Sequence, residues 1–223
     1  MTEQSGATTY DAYLLRYPDG TWLAQLTDLP GAYATGASQA DALQRLAAAV
    51  PGYFAWLSLH DEYTPTTRGV AQVVASEVAE LASGPAQGLG AFFSGDAAPV
   101  TDEDLDWWLA ALDWAYGDLE AQAQCAPASS RRDGLLSAVA LAQLHVVGLA
   151  TGGQARANVA SGDPLALVEM ARGVAHTAFR STNAEQRAAV REDAGQRWSL
   201  RRGLRESALL ARRAAADLAA LQP

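Results

Sequence analysis

Three histidines, His60, His145 and His176, are the side chains in this sequence best suited to bind a metal ion. His145 and His176 lie in the second half of the chain, where Glu169 and Glu206 are carboxylates borne on predicted helices. Imidazole and carboxylate groups are common zinc ligands. We expect His60, Glu169 and Glu206 to be exposed to solvent. We therefore expect no metal site, and His145, His176 and Glu169 are the only candidates for one.

Other chemical patterns are incomplete. Asp102, Asp104, Asp106 and Asp113 cluster in sequence, but on one helix they face different directions and do not form an acid-base pair. The single cysteine, Cys125, has no neighbouring histidine or lysine to activate its thiol. The glycine-rich segment 149–164 lacks the lysine of a phosphate-binding loop. We expect no catalytic residue and no cofactor, and we favour a non-enzymatic role over an enzymatic one.

The distribution of charge bears on partners. The formal net charge is -9, which disfavours nucleic-acid binding because phosphate groups require a positive surface. Residues 102–120 carry seven acids and no arginine, whereas residues 180–223 carry nine arginines and five acids. Two helices of opposite charge are therefore expected to lie side by side, unless the basic helix meets a separate partner.

Composition and apolar runs bear on the compartment. A lone cysteine excludes an internal disulfide and is typical of a reducing compartment. The first residues lack the basic and apolar regions of a signal peptide. The longest apolar run, residues 135–149, is short for a membrane span. We expect a cytoplasmic protein that does not bind membranes.

The first half of the chain predicts an α+β domain of order β-β-β-α-β. Two strands surround the turn at residues 18–20, and a short third strand ends before Gly36. A helix capped by Ser38 follows, is broken at Pro51, and is continued by a second short helix. A valine-rich segment from about residue 67 predicts the fourth strand. We place the domain boundary in the glycine- and proline-rich stretch, giving domains 1–97 and 98–223.

The second half predicts four long helices. Thr101 and Asp163 are expected N-caps of the first and third helices, and the last helix begins near Ser199. The second helix runs from about Ser130 to Ala150, and a shorter helix or helical turn occupies residues 183–193. Four helices of this length favour a four-helix bundle.

The order and turn residues of the first half resemble a known family. The segment YDAYLLRYPDGTWLAQLTDLPGAYATGASQADAL, with Asp28-Leu29-Pro30-Gly31, Gly36 and Ala42-Leu43, resembles the HicB-like antitoxin domain. That resemblance implies a small truncated ribonuclease-H-like fold over about fifty to eighty residues. Ala32 departs from the family, which often has cysteine there, and the glutamate usual before Ala42 is missing.

The second half is similar to the DinB-like (damage-inducible) superfamily of metal-binding four-helix bundles. The similarity is carried by three segments, AFFSGDAAPVTDEDLDWWLAALDWAYGDL, SSRRDGLLSAVALAQ and RWSLRRGLRESALLARRAAADLAAL. It implies a metal site with one histidine on the second helix and two, spaced i, i+4, on the last. Those positions fall at Ala138, Leu210 and Ala214, none of which binds a metal. The resemblance therefore implies a bundle that has lost its metal-binding histidines.

Three functions remain open from the sequence. The favoured one is a non-catalytic two-domain protein that binds a protein or a small molecule, with a homodimer also possible. The second is a metal-dependent thiol transferase of the DinB-like kind with a relocated site. The third is a HicB-like antitoxin that blocks a small toxin ribonuclease.

Overall fold

A computed structural model describes residues 8–60, 71–81, 90–153, 162–193 and 195–222. The chain divides into two units, residues 1–86 and 87–223. The first unit is a mixed sheet with one helix, and the second is mainly helical. The predicted α+β class is therefore confirmed. The start of the predicted fourth strand and the centre of the glycine-rich segment lie outside the described residues.

Four strands and one helix make up the described part of the first unit. They are β1 (Thr8–Arg16), β2 (Trp22–Leu26), β3 (Tyr33–Gly36), α1 (Gln39–Ser58) and β4 (Ala71–Glu80). The sheet order is β3-β2-β1-β4, with β1 antiparallel to β2 and parallel to β4. Gly20 adopts a φ of 87° in the tight β1–β2 turn, a conformation that favours glycine. The predicted order β-β-β-α-β is therefore observed.

Helix α1 is continuous, so the predicted break at Pro51 is wrong. Ser38 caps the helix as predicted, because its side chain accepts a hydrogen bond from the Asp41 amide. Beyond the proline, Tyr53 is buried and its hydroxyl donates to the Pro30 carbonyl at 2.8 Å. Burial of apolar side chains on both sides of Pro51 offsets the loss of one helical hydrogen bond.

The junction between β3 and α1 requires a glycine. A Cβ atom placed on Gly36 would lie 2.5 Å from the amide nitrogen of Ala42, in the first turn of α1. The atom that this Cβ would meet belongs to the backbone and cannot rotate away, so a side chain here would force the helix away from the strand. The Gly36 predicted before the helix therefore sets how closely strand and helix approach.

We predict that Gly36→Ala lowers the stability of the first unit by about 1–3 kcal/mol, the usual cost of overpacking. Gly52→Ala is the matched control, because a Cβ on Gly52 meets nothing within 4 Å and the residue lies inside α1. The control should raise stability by about 0.5–1 kcal/mol, since alanine is the better helix former. Urea unfolding followed by circular dichroism measures both. Equal effects of the two variants would contradict this account.

Besides a short 3-10 helix at Ser94–Ala97, the described part of the second unit contains five α-helices and a short hairpin. They are α2 (Asp102–Cys125), α3 (Ser130–Thr151), α4 (Pro164–Arg180), α5 (Ala184–Ala188), β5 (Val190–Asp193), β6 (Gln196–Ser199) and α6 (Leu200–Ala219). Thr101 and Asp163 cap α2 and α4 as predicted. The last helix begins at Leu200, next to the predicted start, and Ser199 is its N-cap. The hairpin corrects the prediction of helix through residue 193, because β5 and β6 pair around Gly195, whose φ is 77°.

The four long helices share one apolar core. Helix α2 packs on α6 and α4, and α3 packs on α4 and α6. Trp108, Leu112, Val139 and Leu204 are buried in this core, whereas Val174 of α4 is only half-buried. Among the described residues, α3 is the one helix that is long and apolar enough to cross a membrane, by length and composition alone, and half of its apolar stretch is buried within the protein.

The acidic and basic segments do lie side by side. On α2, Asp104 and Asp118 pair with Arg201 and Arg212 of α6 at 2.6 and 3.1 Å. Three further pairs join α2 to the segment before α6, and they are Asp113–Arg172, Asp106–Arg180 and Asp102–Arg187. The prediction of neighbouring helices with opposite charge is therefore confirmed.

A buried ion pair ties the segment before α2 to α6. The Asp96 carboxylate, 1% exposed, accepts two hydrogen bonds from Arg205 at 2.8 and 3.0 Å. Ser199 also donates to the Asp96 carbonyl, at 2.6 Å. The predicted boundary after residue 97 would assign Asp96 to the first domain, but these contacts place residues 90–97 in the helical unit.

We predict that Asp96→Asn destabilises the helical unit by about 3–5 kcal/mol, because it leaves the Arg205 guanidinium short of a charge partner in a buried site. Asp106→Asn is the control, since it breaks a solvent-exposed pair with Arg180 and should cost less than about 1 kcal/mol. Denaturant unfolding of the full-length variants measures the difference. Similar losses for the two variants would contradict a central role for Asp96.

Candidate functional site

A pocket of about 410 Å³ lies between helices α3 and α6. Its walls are mainly apolar, with Ala138 and Leu141 from α3 and Leu210 from α6. Its charged lining residues are Arg213 and Asp217, one turn apart on α6. A concave apolar surface with a few polar groups at one end is typical of a binding site for an apolar group.

Small residues and one polar contact position the two helices that form the pocket. A Cβ atom on Gly203 of α6 would lie 2.3 Å from the Cβ atom of Ala150 on α3, so the helices touch closely there. Further along, the Gln143 amide donates to the Ser207 hydroxyl at 2.8 Å, and both side chains are fully buried. These contacts fix α3 against α6, and the pocket opens beyond them on the same pair of helices.

The three positions at which the DinB-like resemblance implies metal ligands all line this pocket. Ala138 belongs to α3, and Leu210 and Ala214 lie one turn apart on α6. Methyl and isobutyl groups offer no lone pair to a metal ion, so these residues do not fit the metal that the resemblance implies. What they form instead is an apolar concavity.

The candidate ligands His145, His176 and Glu169 have different surroundings. His145 is exposed on α3 and lines a second pocket, of about 600 Å³, beside the β5 strand. His176 is half-buried on α4, with its Nε2 atom 3.7 Å from Asp113 Oδ2 of α2. Glu169 is exposed, as expected. Within the described parts of the chain, no three such side chains form a metal-binding group.

Two other expectations of exposure need correction. His60 is half-buried, because its ring contacts Trp56 edge-on with the centroids 5.3 Å apart. Glu206 is completely buried on α6, where its Oε1 atom lies 3.0 Å from Arg205 Nη1 and its Oε2 atom accepts from the Gly90 amide at 3.1 Å. Glu206 is therefore a structural ion and is not available to a metal site near α3.

Glu206 belongs to a buried charge cluster of Asp96, Arg202, Arg205 and Glu206, which the sequence reasoning missed. Arg202 is 1% exposed, stacks on Trp198 with Cζ 3.8 Å from the ring centroid, and donates to the Gly90 carbonyl. Burial lowers the pKa of Arg202 to about 10, against the opposing effect of Glu206. The sequence signal was three charged residues, Arg202, Arg205 and Glu206, within five positions near the start of α6.

The clustered acids of α2 have structural roles, as a helix cap and as ion-pair partners of arginines. Asp104 forms a capping box with Thr101 and pairs with Arg201. Burial acts to raise the pKa of Asp104, but hydrogen bonds from the Thr101 amide and Arg201 outweigh it and leave this pKa lowered. Asp102, Asp106 and Asp113 each have an arginine partner, and Cys125 is a free, exposed thiol.

Comparison with known proteins gives no relative: no family profile, curated protein or solved structure matches the chain.

We predict that Ala138→His, Leu210→His and Ala214→His together create a divalent metal site, because the three positions line one pocket and three imidazoles suffice for zinc or nickel. The unaltered protein should bind no stoichiometric ion at this position. Isothermal titration with Zn²⁺ and elemental analysis after dialysis measure both. The single Ala138→His variant is the control and should bind weakly. A triple variant that folds but binds no more zinc than this control would contradict the correspondence with the DinB-like site.

Proposed function

We propose that this is a non-catalytic, cytoplasmic two-domain protein that binds an apolar partner, either a small molecule or part of a protein, through the α3–α6 pocket. In this proposal the first unit is a HicB-like domain and the second is a DinB-like four-helix bundle without its metal. The observation that carries the proposal is the coincidence of the three expected ligand positions, Ala138, Leu210 and Ala214, in one apolar pocket.

The chemistry of the pocket supports binding over catalysis. Its described lining contains no histidine, cysteine, serine or threonine, so it offers no hydroxyl or thiol nucleophile and no imidazole base. The guanidinium of Arg213 and the carboxylate of Asp217 can orient a polar group, while the alanine and leucine side chains accept an apolar one. The lining of the pocket therefore favours binding of a partner over catalysis.

The two alternatives have less support. A relocated thiol-transferase site needs His145, His176 and Glu169 to converge. His145 lines the second pocket beside β5, whereas His176 lies next to Asp113 of α2. The antitoxin alternative draws on the β-β-β-α-β order of the first unit, which agrees with the HicB-like resemblance, but that agreement concerns architecture and identifies no toxin.

We predict that the neutral fluorescent probe N-phenyl-1-naphthylamine binds the full-length protein at one site when the protein is dilute, with enhanced emission. Ala138→Trp should abolish this binding, because the indole fills the pocket. The control is Ala216→Trp, which adds the same group to an exposed position of α6 outside the pocket. Unchanged binding by Ala138→Trp, or equal loss in both variants, would contradict a binding role for this pocket.

A further inference from the structure

The outward side of α3 is unusually apolar for an exposed surface. From Gly134 to Gly153 the sequence contains no aspartate, glutamate, lysine or arginine. A helix that is apolar on all sides is normally buried on all sides. Yet Gly134, Ala138, Leu141 and His145 are exposed. This outer face of α3, defined by those four residues, is therefore a candidate interaction surface.

Leu141 is the centre of this face. Its side chain is 48% exposed, and it lies at the midpoint of α3, ten residues after Arg131 and ten before Thr151. At a rise of 1.5 Å per residue each end is about 15 Å from Leu141. Gly134 and Gly148 are also equidistant from it, and a Cβ on either would meet nothing within 4 Å. Leu141 therefore lies midway between two glycines that leave open space on α3.

The two ends of the outer face carry opposite charge. Arg131 is exposed at the start of α3 and has no ion-pair partner among the described residues. At the other end, Glu192 and Asp193 line the second pocket together with Gly152 and Arg191. The two acids are exposed and unpaired within the described chain, and they outnumber Arg191, which donates to the Ala150 carbonyl. An antiparallel pairing of two such helices brings the positive end of each to the negative end of the other.

We propose that the outer face of α3 binds a second copy of this chain, with two α3 helices antiparallel about a two-fold axis near Leu141. The interface is isologous, so each favourable contact occurs twice. Arg131 of each copy faces Glu192 and Asp193 of the other, and each Leu141 lies over the Ala138 side of the other copy's α3–α6 pocket. The inference rests on the proposed function, because it names the apolar partner of that same pocket.

The small area of the outer face limits the expected stability of this dimer. Helix α3 is about 33 Å long, so one face of it alone is smaller than the roughly 800 Å² per partner of a standard interface. The rim of α6 and the β5 strand must add to the contact, and dissociation on dilution is expected. Measurements must therefore span a wide range of protein concentration.

Sedimentation velocity of the full-length protein from submicromolar to high micromolar concentration tests the proposal. We expect a reversible shift from one chain to two, with the naphthylamine probe displaced as the dimer forms. Leu141→Asp should weaken dimerisation by about tenfold or more, because it buries a charge at the centre. Leu59→Asp, at a leucine that is 81% exposed in the first unit, is the matched control and should leave it unchanged.

Charge-reversal variants distinguish the proposed antiparallel arrangement from nonspecific association. Arg131→Glu should weaken the dimer several-fold, and adding Glu192→Arg and Asp193→Arg to the same chain should restore it. A monomer at all concentrations that still binds the probe overturns the dimer but leaves the proposed function standing. A chain that neither dimerises nor binds the probe overturns both. A dimer that survives Leu141→Asp, or that the triple charge swap fails to restore, overturns the proposed interface.

Discussion

The helical unit depends on one buried ionic contact, the pair between Asp96 and Arg205. Two positive groups, Arg202 and Arg205, and two negative ones, Asp96 and Glu206, are buried together, so the cluster has no net formal charge. Removing any one leaves an unbalanced ion away from water, which costs far more than losing a surface pair. Because Asp96 lies more than a hundred residues before Arg205, the cluster also joins the beginning of the unit to its final helix.

The arginines and the glutamate of the buried charge cluster lie in the first half of α6, and the second half of the helix is partly exposed. From Arg202 to Leu209 every residue of α6 is buried, while Leu210, Arg212 and Arg213 are only partly buried and Asp217 is exposed. The first half is held by the ions, by Trp198 and by the close contact of Gly203 with Ala150. The second half is therefore supported rigidly at one end and forms a surface at the other. A binding surface on such a rigid support loses little entropy when a partner is bound.

Local signals in the sequence predicted local structure, and tertiary contacts overrode them elsewhere. Ser38, Thr101 and Asp163 were identifiable as N-caps because their hydrogen bonds reach only three residues or fewer along the chain. Pro51 was misleading because burial on both sides of it outweighs one lost hydrogen bond. The β5–β6 hairpin and the burial of Glu206 depend on partners such as Gly90, which no helical periodicity reveals. The sequence predicted only that Ala138, Leu210 and Ala214 are not metal ligands. That they line one pocket depends on how α3 and α6 pack together.

In the proposed DinB-like correspondence, apolar groups take the place of metal ligands, and this changes what the site can do. An ion held by three imidazoles contributes binding free energy to the fold and activates water or a thiol. Alanine and leucine contribute neither, and here the small alanines leave space that no described side chain fills. An unfilled apolar concavity at the surface gains free energy only when an apolar group enters and displaces water from it. Under the proposed correspondence, this helix lacks the stability that a bound metal would add. The buried ions hold the first half of α6, and its second half stays open to a partner.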